Sequence, residues 1–254
     1  MLLGRQVEYT DSYAPQLLQP IPREYGRTAL GLSVGTLAFH GEDVWHAYEL
    51  SWLDADGRPH VAAARLVIPA VSPNLVESKS LKLYLNSVNN TVFQDVSALH
   101  RTLMGDISQA VGAAVELELL SCDDPSLVGI TAPGECIDQA AYTAAEDEPA
   151  ASMLRAMPGS EVTQVLYSHL LRSLCPVTAQ PDWATLIVDY TGPALDQASL
   201  LQYVVAFRRH QEFHEQCVER IFCDISAAIS PKKLSVQALY TRRGGLDICP
   251  WRST

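Results

Sequence analysis

Val96-Ser97-Ala98-Leu99-His100-Arg101-Thr102-Leu103-Met104-Gly105-Asp106-Ile107, followed by Val115-Glu116-Leu117-Glu118-Leu119, changes its hydrophobic period partway along. Val96, Leu99, Leu103 and Ile107 recur at the spacing of an amphipathic helix, and Gly112 ends the run. Val115, Leu117 and Leu119 then alternate as in a half-buried strand. Upstream, Leu81, Leu83 and Leu85 alternate too, so the spacing predicts strand, helix and strand between Ser78 and Leu120. The same order returns later in the chain. Tyr203, Val205 and Phe207 alternate, Val218, Ile221, Phe222, Ile225 and Ile229 follow helical spacing until Ser230-Pro231, and Leu234, Val236, Ala238 and Tyr240 alternate again. Ser80-Leu81-x-x-Tyr84 lies over Ser199-Leu200-x-x-Tyr203, and Phe93 falls over Phe213 after a one-residue gap, which marks a candidate internal repeat. Each half reads as an α+β unit of antiparallel strands flanked by helix. The expected organisation is a module over residues 1–121, a connecting segment over 122–160 and a second module over 161–254. The connection carries Asp123-Asp124-Pro125, Pro133-Gly134 and the acidic Glu146-Asp147-Glu148-Pro149, which reads as a solvated loop.

With 254 residues, 48% of them hydrophobic, the chain can bury two cores of ordinary size. A net charge of −11 repels phosphate backbones, so no nucleic acid is expected as a direct partner and the substrate is expected to be small. No apolar stretch approaches the ~20 residues that span a bilayer, and the start turns polar by Arg5-Gln6. The expectation is a cytoplasmic protein without a membrane partner. The six cysteines include no CxxC pair and read as reduced thiols. Gly31-x-x-x-Gly35 has the wrong spacing for a dinucleotide fingerprint, and Gly244-Gly245 follows basic residues, so a Rossmann domain is not expected.

Four segments carry candidate chemistry, each with a plainer alternative. Cys175 follows the apolar run from Val162 to Leu174 and opens Cys175-Pro176-Val177-Thr178-Ala179-Gln180-Pro181-Asp182-Trp183. A thiol displayed between prolines, with an acid seven residues on, supplies a nucleophile and a proton donor; a structural cysteine and a turn aspartate fit the spacing too. Glu77-Ser78-Lys79-Ser80 opens the first repeat's expected strand and could grip a polar heterocycle or a phosphate, or form a charged turn. Arg208-Arg209-His210-Gln211-Glu212-Phe213-His214-Glu215 opens the second repeat's helix. Its carboxylates suit the ring N–H and exocyclic amine of a guanine-like base and Phe213 its face, while acids at a helix start suit the dipole equally. His210, His214 and Cys217 also raise a zinc site. Arg242-Arg243-Gly244-Gly245 suits a phosphate or forms a simple basic turn.

In order, Pro20-Ile21-Pro22-Arg23, Glu77-Ser78-Lys79-Ser80-Leu81-Lys82-Leu83-Tyr84, Cys175-Pro176-Val177-Thr178, Gln180-Pro181-Asp182-Trp183, Phe213-His214-Glu215 and Arg243-Gly244-Gly245 resemble the queuosine-pathway nitrile reductases, the QueF family of 7-cyano-7-deazaguanine reductases, in their long two-module form. The resemblance implies tandem tunnelling-fold modules, antiparallel sheets with helices packed on one side, and assembly into a homodimer. It implies Cys175 as nucleophile through a covalent thioimidate and Asp182 as proton donor. By the same resemblance Val76, Glu77, Ser78, Phe213, His214 and Glu215 hold the deazapurine, and Ser78, Lys79, Arg243 and Gly244 hold NADPH, with no metal. The second half carries Asp196-Gln197-Ala198-Ser199 where the Glu-Ser-Lys-Ser motif would lie, so one composite pocket per chain is expected. The alternatives are a zinc-dependent cyclohydrolase of the same fold using His210, His214 and Cys217, and a non-catalytic purine-binding module.

Overall fold

The computed structural model describes residues 12–33, 37–129, 131–143 and 148–254; Arg5-Gln6, Gly35 and Glu146-Asp147 lie outside them. In chain order the elements are β1 (Pro20–Pro22), α1 (Glu24–Ala29), β2 (His40–Leu53), β3 (Pro59–Pro69), β4 (Asn74–Val76), α2 (Ser78–Ser87), α3 (Val96–Val111) and β5 (Glu116–Leu120). They continue with β6 (Glu135–Cys136), β7 (Val162–Leu174), β8 (Pro181–Gly192), α4 (Gln197–Ala206), α5 (His214–Ile229), β9 (Lys233–Tyr240) and β10 (Leu246–Ser253). The chain divides into two units. The first comprises Met1–Tyr25, Asp43–Gly129 and Arg242–Asp247, and the second Gly26–Glu42, Ile130–Thr241 and Ile248–Thr254.

In the first unit β3 lies between β2 and β5, and β1 pairs antiparallel with β4. In the second the order is β10-β9-β8-β7-β6, antiparallel except for the short β6–β7 pair. Helices pack on strands in both, α3 on β5, α4 on β7 and α5 on β9. The fold is therefore α+β with mainly antiparallel strands. Alternation places Leu234, Val236, Ala238 and Tyr240 of β9 inward, and α5 covers them with Val218, Ile221, Phe222, Ile225 and Ile229. Each buried leucine, valine, isoleucine or phenylalanine of this set stabilises the fold by about 1.5–3 kcal/mol.

Two expected strands are helices. Leu81, Leu83 and Leu85 lie in α2, and Tyr203 and Val205 lie in α4, with Phe207 just past its end. The buried set Leu81, Tyr84, Leu85 and Val88 has helical spacing, and Leu83 falls off that face. Caps outside the apolar pattern decide the matter: the Glu77 carboxylate accepts from the Lys79 and Ser80 N–H groups at 3.0 and 2.7 Å, and Asp196 accepts from Ala198 N–H at 3.0 Å. Glu77-Ser78-Lys79-Ser80 thus starts a helix rather than a strand. Likewise α5 begins only at His214, while Phe207–Arg209 forms a separate 3-10 turn. The second unit has a further strand, β10, after the basic turn.

The repeat is visible atom by atom. α2 and α4 have ten residues each, α3 and α5 sixteen. At the third position of the shorter helix, Ser80 donates to the Glu77 carbonyl (2.6 Å) and accepts from Gln19 N–H (3.0 Å); Ser199 donates to the Asp196 carbonyl (2.7 Å) and accepts from Arg155 N–H (3.1 Å). At the seventh, the Tyr84 hydroxyl donates to Asp106 and the Tyr203 hydroxyl to Asp224, each at 2.6 Å.

A buried ion cluster anchors the second unit. Glu219 accepts from Arg27 at 2.7 and 3.0 Å and from Arg252 at 3.0 and 3.2 Å, with all three side chains removed from solvent. Both guanidiniums also lie within 6 Å of the Phe39 ring. Removing the carboxylate leaves two buried cations facing one another. Glu219→Ala is expected to lower stability by about 3–5 kcal/mol in chemical denaturation; a loss below about 1 kcal/mol would contradict this account.

Candidate active site

A hairpin register brings the thiol and the acid together. β7 and β8 pair antiparallel with Leu174 opposite Pro181 and Ser173 opposite Asp182, and the chain between them turns back on itself. Cys175 N–H donates to the Gln180 carbonyl at 2.9 Å, and Ala179 N–H to the Cys175 carbonyl at 2.8 Å. To close this loop Ala179 adopts φ +55°, a left-handed conformation that costs about 1–2 kcal/mol for a residue other than glycine.

The sequence predicts a thiol displayed on the loop, but Cys175 is buried, with 7% exposure. The loop nevertheless turns polar groups toward the sulfur. Burial pushes the thiol pKa up, but hydrogen bonds from the Thr178 hydroxyl and the Val177 and Thr178 N–H groups outweigh burial and the nearby Asp182 carboxylate, holding it below the ordinary value. Cys217, fully buried, and Cys223 go the other way; burial and the Glu219 and Asp224 carboxylates push Cys223 up to about 11. Among these three, Cys175 has the thiolate-favouring surroundings.

The segment before α5 is pinned to the same strand end. Leu174 N–H donates to the His210 carbonyl at 2.8 Å, and Glu212 N–H returns to the Leu174 carbonyl at 3.2 Å. The His210 ring is held between Glu148 (2.8 Å) and Glu212 (3.1 Å), and Glu212 is itself gripped by Arg220 at 2.7 and 3.0 Å. Burial lowers the His210 pKa, but its two carboxylate partners raise it overall. So anchored, α5 presents His214 with Nε2 3.0 Å from Asp182 Oδ2, both side chains nearly inaccessible. Glu215 follows, buried at 3%, and Phe213 precedes it, half-buried at the N-cap. The second unit thus gathers Cys175, Asp182 and His214; an activated sulfur beside a buried carboxylate–imidazole pair can attack an electrophilic carbon and deliver a proton to the atom next to it.

The remaining candidates lie in the first unit. Val76 is buried in β4, while Glu77, Ser78 and Lys79 are half-buried at the start of α2. Both Glu77 oxygens already accept backbone N–H groups, a capping role the sequence did not reveal, yet each keeps a further lone pair for a ligand. Arg243 and Leu246 exchange backbone hydrogen bonds at 2.9 and 3.1 Å across Gly244 (φ +59°) and Gly245 (φ +82°), a tight turn of the kind that favours glycine at both central positions. A Cβ at Gly245 would sit 2.5 Å from the Glu49 carboxyl carbon. Lys82 ties the turn down, donating to the Gly244 carbonyl at 2.6 Å and to Glu49 at 2.7 Å. Arg243, exposed on such a turn, and the Lys79 ammonium are cations of the kind that pairs with a dinucleotide's phosphates.

The zinc alternative fails on geometry. His210, His214 and Cys217 do not converge into a group that could hold an ion, and carboxylates engage both His210 ring nitrogens. Sequence reasoning missed Thr178, although it stands in the quoted loop; a hydroxyl three residues after a thiol at a turn is the signal that could have found it. Among the described residues no helix is long and apolar enough to cross a membrane.

Comparison with known proteins agrees. The family described as "Nitrile reductase, 7-cyano-7-deazaguanine-reductase N-term" matches residues 9–119, and the family "QueF-like protein" matches residues 181–254. The class is that of the nitrile reductases. The NADPH-dependent 7-cyano-7-deazaguanine reductase of Dechloromonas aromatica (strain RCB) is 50% identical, the alignment covering 99% of this chain and 89% of the relative. That of Chromohalobacter salexigens is 49% identical, covering 99% and 91%. The chain belongs to the family of NADPH-dependent 7-cyano-7-deazaguanine reductases. A crystal structure of the archaeosine synthase QueF-Like in the apo form aligns with 39% of this chain and 96% of its own, at 18% identity and a TM-score of 0.33.

Thr178→Val should move the pH dependence of Cys175 alkylation by iodoacetamide to higher pH, because it deletes the hydroxyl donor and leaves the backbone donors in place. The alkylation rate should fall at neutral pH and rejoin the unmodified protein's in alkali. An unchanged profile would show that the hydroxyl does not act on the sulfur.

Proposed function

We propose that this protein reduces the nitrile of 7-cyano-7-deazaguanine to the primary amine of 7-aminomethyl-7-deazaguanine, consuming two NADPH, as a cytoplasmic homodimer in the pathway to queuosine. Support comes from the near-full-length identity to reductases of that name. The single observation that carries the chemistry is the Cys175 thiol, held toward its ionised form within reach of the Asp182–His214 pair.

A nitrile carbon accepts hydride poorly until it is activated. The Cys175 sulfur bonds to that carbon, one C–N π bond opens onto nitrogen, and Asp182 delivers a proton to the nitrogen, leaving a covalent thioimidate. NADPH, when bound, supplies one hydride to the substrate carbon in each of two reductions. After the first, Cys175 leaves with the C–S bonding pair and an imine remains for the second. His214, 3.0 Å from Asp182, keeps the acid aligned and can return protons to it. Val76, Glu77, Ser78, His214 and Glu215 hold the base, with Phe213 against its face; Ser78, Lys79, Arg243 and Gly244 hold the cofactor's phosphates.

Mixing the protein with the nitrile in the absence of NADPH should yield a mass increase equal to the nitrile, confined to the peptide bearing Cys175 and absent in Cys175→Ala. An adduct that persists in the alanine variant would exclude this nucleophile. Glu215→Ala should weaken nitrile binding about tenfold or more and leave NADPH binding within about twofold, because only the base's polar edge loses its partner. Equal weakening of both would refute the assignment.

A further inference from the structure

We propose that Tyr240 is a positioning residue for the proton transfer, acting through His214; the proposal rests on the reaction given above. Tyr240 is the last residue of β9, and its cross-strand partner is Ala184, two positions beyond Asp182 in β8. Side chains two apart on a strand share a face, so the Tyr240 ring stands on the same side of the sheet as the Asp182 carboxylate. There it lies flat against the imidazole of His214, with ring centroids 3.8 Å apart and planes at 18°. This contact joins the sheet to the first residue of α5, 26 positions earlier in the chain.

The consequence is directional. An imidazole at the start of a helix can swing about its Cβ–Cγ bond, whose torsion has broad wells. A flat ring at stacking distance removes that freedom, because any large rotation would drive the imidazole edge into the phenol face. In the ring plane the stack permits, Nε2 lies 3.0 Å from Asp182 Oδ2. The phenol itself is fixed: Tyr240 is buried at 5% exposure, its hydroxyl packed beside Cys217 and Ser173. The plane of the imidazole beside the acid is thus set by a residue outside the groups assigned to the base and to the sulfur. Its ring supplies the effect and its hydroxyl does not.

The test compares Tyr240→Phe, which keeps the stack, with Tyr240→Leu and Tyr240→Met, which remove it; two aliphatic replacements guard against one failing to fold. The rate of thioimidate formation is measured by rapid mixing with the nitrile alone, in water and in deuterium oxide, together with the nitrile's Kd. Tyr240→Phe should form the adduct within about threefold of the unmodified rate. The folded aliphatic variants should be slower by on the order of 10- to 100-fold, with Kd little changed and a larger solvent isotope effect, as expected when proton delivery is misaligned. Aliphatic variants as fast as the unmodified protein, or a Phe variant as slow as they are, would overturn the proposal. Absence of any adduct in the unmodified protein would instead overturn the underlying reaction.

Discussion

The antiparallel register of β7 and β8 is the constraint on which the candidate site depends. Ser173 faces Asp182 across the ladder, so the thiol just past the strand end and the acid near the start of the next strand meet although seven residues separate them. A slip of one residue would send Asp182 to the opposite face and leave the sulfur alone. The clamp from Leu174 to His210 and Glu212 adds the third component by fixing where α5 begins. The thiol, the acid and the first turn of α5 thus converge because backbone hydrogen bonds set their phase.

The same economy appears in the duplicated helical pairs. In each unit a capping carboxylate, a serine at the third helical position and a tyrosine at the seventh make the same bonds to the helix's first turn, to an incoming loop and to an aspartate on the neighbouring helix. What differs is the chemistry laid on this frame. The cap is Glu77, followed by a serine and a lysine, in one copy, and Asp196, followed by glutamine and alanine, in the other. Asp196 is also engaged by Arg155 at 3.1 and 3.2 Å, a structural use of the position that Glu77 shares only in part. Frame and function have separated within one chain.

How much of this the sequence disclosed depended on whether the deciding contact was local. α3, α5, β5 and β9 were legible because long apolar patterns match only one period. α2 and α4 were not: Leu81 and Leu85 suit a strand and a helix alike, and the cap that breaks the tie lies outside the pattern. β10 escaped because Pro250 and Arg252 hold inward positions, and Arg252 is tolerable there through Glu219 in a helix earlier in the chain and the Glu42 and Trp251 carbonyls. Cys175, Asp182 and His214 could be named from the sequence, whereas the burial of the thiol, the donor from Thr178 and the stack on Tyr240 could not, since each is a property of the closed loop or of the packed sheet.

The hydrogen bonds that converge on the Cys175 sulfur bear on departure as well as attack. A sulfur that holds negative charge comfortably is somewhat less nucleophilic, which in the proposed reaction would make concerted protonation of the nitrogen by Asp182 more valuable. It is also a better leaving group, so the covalent linkage to substrate is easier to dissolve once the carbon has been reduced. On the proposed reaction, the loop closed by a left-handed alanine would therefore tune reversibility, letting a full covalent bond to the substrate form and still be released.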